Sequence, residues 1–275
     1  MKLIQLFWVV GAVFLSTLVA CGQENKTHAS ATPAAPVSKS QSRSCDISDS
    51  FCLAERAKKD EEVYQIEQDK KIAAVVLSAP KLNQHAPESD YREVKTDYDS
   101  GLLRQAFGVK MSNGDLSSKI DSVRFERDQF KRADIEKAAL LEFSSKVASI
   151  GSNRYIVMKN FPVRLEKYDM AKKQFSFNNF GQNTAFTLSR AGTVFDTKLK
   201  LTNAAQVSWR IEDELIARRI ETSRASSDLK LFADLYGYAA GSLREEPDEL
   251  ITVITKVVIK DEKGVIQTVI TPSSS

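Results

Sequence analysis

The sequence predicts an α+β fold in which N-terminal helices precede a mostly antiparallel β-sheet. Three observations carry this. From about residue 49 to residue 150, apolar residues recur at helical spacings with few breaks. Beyond Gly151 the period shortens to two. Near the C-terminus, Asp261-Glu262-Lys263-Gly264 joins two strand-like runs as a hairpin turn. Helices set ahead of strands, rather than alternating with them, indicate α+β. With 275 residues, 42% of them hydrophobic, the chain is long enough to bury a sizeable core.

Residues 49–78 are free of Gly and Pro and rich in helix formers, with Glu55/Lys59 and Glu67/Lys71 as i,i+4 pairs. The apolar stripe is thin in the centre (Ala57, Val63, Tyr64, Ile66) and denser at Val75-Val76-Leu77. A helix this polar either lies across its own domain or pairs with another chain. Pro80 and Pro87 break the pattern over 80–90. Tyr91–Val109 reads as a helix burying Val94, Leu102, Leu103, Ala106 and Phe107. After a turn at 112–115, one helical region or two consecutive helices run from Leu116 to Ile150. Their expected buried face is Leu116, Ile120, Val123, Phe130, Ala138, Leu141 and Ala148, and Gly151 is the stop.

Tyr155–Met158 opens the strands. Val163/Leu165 and Phe175/Phe177 alternate across a turn at 169–173, and Thr184–Leu188 and Thr193–Leu201 follow. Val207, Trp209 and Ile211 alternate as in a strand, while Ala204, Val207, Ile211 and Leu215 fit a helical face equally well. A helix over 203–214 is the reading taken, with strands at 216–223, 229–240, 250–260 and 265–270.

The amino end carries the most specific signal. Met1–Ala20 has one Lys ahead of an uncharged apolar run, as in a secretion signal. The run closes on Leu18-Val19-Ala20-Cys21-Gly22, which resembles the lipobox of bacterial lipoproteins. The resemblance implies cleavage before Cys21 and its modification with a diacylglyceryl group and acyl chains such as palmitate. It also implies attachment to the cell envelope through lipid. An uncleaved spanning anchor is the alternative. Gly22 is unlike the Asp that retains such proteins at an inner membrane, so the outer membrane, facing the periplasm, is expected. Residues 21–44 are rich in Ala, Ser, Thr, Pro and Gln and read as a disordered tether of roughly 25–30 Å span. Cys45 and Cys52, in an exported chain, are most simply a disulfide, and a metal pair is the weaker rival. The expected organisation is a signal peptide at 1–20, the tether at 21–44, a disulfide-capped helix with a Pro-containing linker at 45–90, and the α+β domain at 91–275.

Asp128-Gln129-Phe130, Tyr168-Asp169 with Phe175, and the closing strand, turn and strand loosely resemble a bacterial envelope domain family of unknown function. That resemblance implies a fold grouping and brings no catalytic residues.

Chemistry is scarce. The chain has only 2 His, His28 and His85, both in Pro/Ala-rich surroundings, which argues against imidazole-dependent triads and His-based zinc sites. There is no GxGxxG or GxxxxGK[ST]. Ser78/Lys81 and Ser227/Lys230 match Ser-x-x-Lys without the companion motifs of penicillin-recognising enzymes. Asp97 and Asp99 hint at a calcium loop but lack its further ligands. Leu188-Ser189-Arg190-Ala191 only superficially echoes a peptidoglycan-binding segment. Carboxylates at 212–214 and at 245, 246, 248 and 249 are the remaining acid/base candidates. A formal charge of +3 is too mild for nucleic-acid binding. No cofactor, metal site or catalytic residue is expected. The leading expectation is a lipid-anchored, non-catalytic binding or scaffolding domain with an envelope protein or glycan as partner. The alternatives are a carboxylate-dependent hydrolase of an envelope polymer and an oligomerisation module built on the helix near 49–78.

Overall fold

Helix α1 spans Ser50–Ser78, because no Gly or Pro interrupts the chain from Ser50 until Pro80. The computed structural model describes residues 50–182, 184–188 and 195–272. The chain divides into two units, Met1–Leu53 and Ala54–Ser275, and the sheet belongs wholly to the second. The expected signal, tether, Cys21 and Cys45 lie outside the described residues, as does the Ser189–Ala191 stretch. Cys52, in the first turn of α1, is disulfide-bonded.

After a strap of irregular chain come β1 (Arg92–Glu93) and α2 (Asp97–Phe107). Helices α3 (Asn113–Lys119), α4 (Asp121–Arg124) and α5 (Gln129–Ile150) follow. The expected helix over 91–109 therefore begins later. Thr96 caps α2 in a reciprocal box with Asp99, and the residues before it are extended. The region 116–150 is likewise three helices. Asp128 accepts hydrogen bonds from the Phe130 and Lys131 N–H groups and starts α5 afresh. That restart resets the helical phase, so the expected inner face is wrong beyond Val123. Phe130 and Leu141 are exposed, while Phe143 and Ile150 are buried. Gly151 does end α5, at φ 60°.

Nine strands are present among the described residues: β1, β2 (Tyr155–Val163), β3 (Gln174–Ser176), β4 (Ala185–Thr187), β5 (Lys198–Leu201), β6 (Ser208–Arg210), β7 (Leu231–Gly241), β8 (Glu249–Asp261) and β9 (Ile266–Ile270). The expected helix over 203–214 is a single 3₁₀ turn at Ala204–Gln206 followed by β6. Cross-strand packing decides it, since β6 pairs with β3 and sets Trp209 opposite Phe175. The expected strand over 216–223 is instead helix α6 (Glu214–Ala225), whose first turn is capped by the Asp213 carboxylate.

The large sheet runs β1-β2-β7-β8-β5-β4, with β9 also on β8. It is mixed, not mostly antiparallel: β1 with β2 and β5 with β8 are parallel. Each parallel pair is joined by a long crossover, α2–α5 in one case and α6 with β7 in the other. Strands β5 and β9 lie end to end along the same edge of β8, pairing with Glu249–Thr252 and Val257–Lys260. Between them the Asn203 side chain fills the gap. Its Nδ2 donates to the Ile254 carbonyl at 2.9 Å, and its Oδ1 accepts the Ile254 N–H at 2.8 Å.

One sheet face (Ile156, Met158, Leu235, Ile254) packs against α2, α3 and α5 through Leu102, Leu103, Leu116 and Phe143. Phe143 stacks on Phe195 with ring centroids 5.4 Å apart. Gly101 permits this approach, because a Cβ there would lie 2.4 Å from the Phe195 ring. The other face carries Tyr155, Tyr238, Ala240 and Ile251. It is covered by the C-terminal half of α1 (Ile72, Val75, Val76) and by Leu82 of the strap. Tyr238 donates to the Pro80 carbonyl at 2.7 Å, and the Asn83 N–H donates to the Tyr155 hydroxyl at 2.8 Å.

Candidate functional site

Where α1 crosses the sheet it leaves a groove of about 350 Å³. Its walls are Ile72, Val76 and Leu77 of α1, Leu82 of the strap and Val253 of β8, and Lys200 of β5 stands on its polar side. Asp69 and Ala73 line the α1 rim. Strand alternation puts Lys200 here. In Lys198-Leu199-Lys200-Leu201 both leucines enter the core, so Lys200 must point the other way, under α1.

The connection from β7 to β8 holds the surroundings of this groove. Glu245 meets Lys71 of α1 at 3.5 Å. Glu246 and Glu249 meet the Lys200 ammonium at 3.0 and 2.8 Å. Asp248 pairs with Arg104 of α2. The Lys200 side chain is only 13% exposed. Burial pushes its pKa down, but the hydrogen bonds to Glu249 and Glu246 outweigh this and raise it, so the ammonium stays charged. Burial likewise pushes the Glu246 carboxyl up, and the Lys200 contact leaves it below its ordinary value.

The carboxylate candidates are therefore brought together only in part. Glu245, Glu246, Asp248 and Glu249 share one connection, but each faces a cation. At the second cluster, Lys173 and Arg210 hold the Glu212 carboxyl below its usual value. Asp213 caps α6, and Glu214 bonds Arg218 Nε at 3.0 Å. The other motifs are dispersed. Ser78 Oγ donates to the Val75 carbonyl, and Ser227 sits in a left-handed turn after α6. His85 is exposed. Asp99 belongs to the α2 capping box. Among the described residues, no group of three His, Cys, Asp or Glu could hold a metal ion. No helix among them is long and apolar enough to cross a membrane.

Two other depressions border α6; between them their charged lining comprises the pairs Glu214 with Arg218 and Glu221 with Arg224, together with Arg164, Lys167 and Lys230. Comparison with protein-family models, with curated proteins and with solved structures gives no match.

Sequence reasoning missed Lys200, Arg104 and Asn203. For Lys200 the Lys-Leu alternation of β5 was the available signal. Arg104 and Asn203 act through partners 144 and 51 residues away, which no local pattern reveals.

Chemically, the groove is an apolar slot beside an acidic, ion-paired rim. It suits the capture of an apolar side chain or segment more than proton transfer, because its lysine is held as a cation by two carboxylates.

Proposed function

We propose that this is a lipid-anchored envelope protein whose α+β domain binds a partner component of the envelope without catalysing a reaction on it. The observation that carries the binding reading is the groove between α1 and β5, with apolar walls and the nearby Lys200, Glu246 and Glu249 already committed to one another. The anchor reading rests on Leu18-Val19-Ala20-Cys21, and placement at the outer membrane rests on Gly22.

Binding is tested by a photo-crosslinking amino acid at position 77, on the groove wall, in cells that express the full chain. A discrete envelope adduct is expected, and Ala73→Trp, which fills the slot from an exposed position, should abolish it. Failure to form any discrete adduct would remove the reading. For the anchor, Cys21→Ala should eliminate acyl labelling, and labelling at the normal level would overturn it.

A further inference from the structure

At the end of the β2–β7 ladder, beside the last turn of α6, lies a depression of about 500 Å³. Its apolar lining includes Val163, Leu165, Leu229 and Leu231. Its charged lining is Arg164, Arg224 and Lys230, with no carboxylate among them. Strand geometry brings two of these cations together. Val163 and Leu231 are the last paired positions of β2 and β7, and Arg164 and Lys230 are the next ones in that register. Val163, Leu165 and Leu231 enter the core, which leaves Arg164 and Lys230 exposed. Like charges at such facing positions repel each other.

Backbone contacts hold the walls. The Arg164 N–H donates to Asn179 Oδ1 at 3.2 Å, and the Arg164 carbonyl accepts from the Asn178 N–H at 3.1 Å. Opposite them, the Asp228 and Leu229 N–H groups both donate to the Ser223 carbonyl and fix the turn after α6. Ser227, in this turn at φ 62°, adds its hydroxyl to the lining.

Two of the three cations already have acids. Glu221 accepts from Arg224 Nε at 2.8 Å and Nη2 at 2.6 Å, and Glu262 meets Lys230 at 3.4 Å. The Arg164 guanidinium has no hydrogen bond or ion pair among the described residues. Glu166 and Asp228, the acids next to these segments in sequence, do not line the depression. One positive charge is therefore left over, above an aliphatic floor.

We infer that this depression binds a monoanionic amphiphile. Its oxyanion group sits between Arg164 and Lys230 beside the Ser227 hydroxyl, and its aliphatic part lies on Leu165, Leu229 and Leu231. A fatty-acid carboxylate and the phosphodiester of an anionic phospholipid share this chemistry. A guanidinium presents parallel N–H donors that match two oxygens of either group. An exposed ion pair alone is worth little, so the aliphatic part supplies affinity and the charge supplies selection. The site shares no lining residue with the groove at α1 and stands independently of it.

The test is equilibrium dialysis of radiolabelled octanoate against the full chain in a non-ionic detergent, with the detergent alone as background. Saturable binding is expected, and octanol and octylammonium should bind at least about tenfold more weakly. Arg164→Gln, at an exposed position, should weaken octanoate binding about tenfold. Arg219→Gln, which removes an exposed cation outside the depression, should leave it unchanged. Circular dichroism of both variants should match wild type. Absence of saturable binding, equal binding of the three probes, or equal losses in the two variants would overturn the inference. Dihexanoylphosphatidylglycerol that displaces octanoate would assign the lipid headgroup as the source, and failure to displace it would assign the free carboxylate. Equal displacement by dihexanoylphosphatidylcholine, which carries no net charge, would overturn the charge selection.

Discussion

Asn203 stands in for a missing strand beside Ile254, bonding both its N–H and its carbonyl in the gap between β5 and β9. Both backbone groups are buried, so no water can replace the amide. Asn203→Leu should cost about 2–4 kcal/mol in urea unfolding, because two polar groups are stranded by a side chain of similar size. Asn203→Asp keeps the acceptor, loses the donor and buries a carboxylate. Burial would raise the folded pKa of that carboxyl, so its cost should shrink as pH falls through the raised value.

Arg104 and Asp248 form an unequal pair, with side chains 6% and 56% exposed. Arg104 also donates from Nε to the Val109 carbonyl at 3.3 Å. Removing the exposed partner strands a buried cation, whereas removing the arginine leaves a carboxylate that water can reach. Asp248→Ala should therefore destabilise at least as much as Arg104→Met, each by about 2–3 kcal/mol. Thermal unfolding of the two variants checks the ordering. A nearly neutral Asp248→Ala would show that the pair contributes little.

The Glu246 carboxyl titrates below its ordinary 4.5 in the folded protein. Its contribution is thus present above that value and disappears as pH falls through the depressed folded one. Lys200 titrates above 10.5 in the folded protein. Its contribution is intact below 10.5 and fades as pH rises past its raised folded value. Glu246→Gln should flatten the acid limb of a stability–pH curve relative to wild type and leave the neutral region parallel to it.

Tyr236 has its hydroxyl pushed up to about 12, first by burial and then by the charges of Glu88 and Asp234. A raised folded pKa supplies stability below the ordinary tyrosine value of 10.0 that is lost between there and about 12. In a spectroscopic titration Tyr236 should be among the last phenols to ionise, and Tyr236→Phe should delete that late component.

Gly101→Ala would place a Cβ 2.4 Å from Cγ of Phe195. Because Phe195 is wedged on Phe143, the ring cannot retreat without disturbing the core. A loss of about 2–3 kcal/mol is expected, and Gly101→Ala/Phe195→Leu should recover part of it.

Order and type of the long elements were legible in the sequence wherever one periodicity ran uninterrupted. Helix α1 and strands β7, β8 and β9 stand close to where the pattern puts them. Errors arose where a capping residue restarts a helix without any Gly or Pro, as Asp128 and Asp213 do. They also arose where three residues suffice for a strand because a partner waits across space, as for Ser208–Arg210. The parallel pairings were hidden because direction depends on how far the chain travels between strands. The groove was equally hidden, since its walls come from stretches as distant as Ile72 and Val253.

The connection between β7 and β8 sets three anionic side-chain positions against three different elements, α1 through Lys71, β5 through Lys200 and α2 through Arg104. One short segment thereby fixes the spacing of the groove's two sides before anything enters it. Under the proposed binding role, a molecule docking in a slot braced this way would meet walls already tied to one another. The entropic penalty of association then falls almost entirely on the incoming molecule.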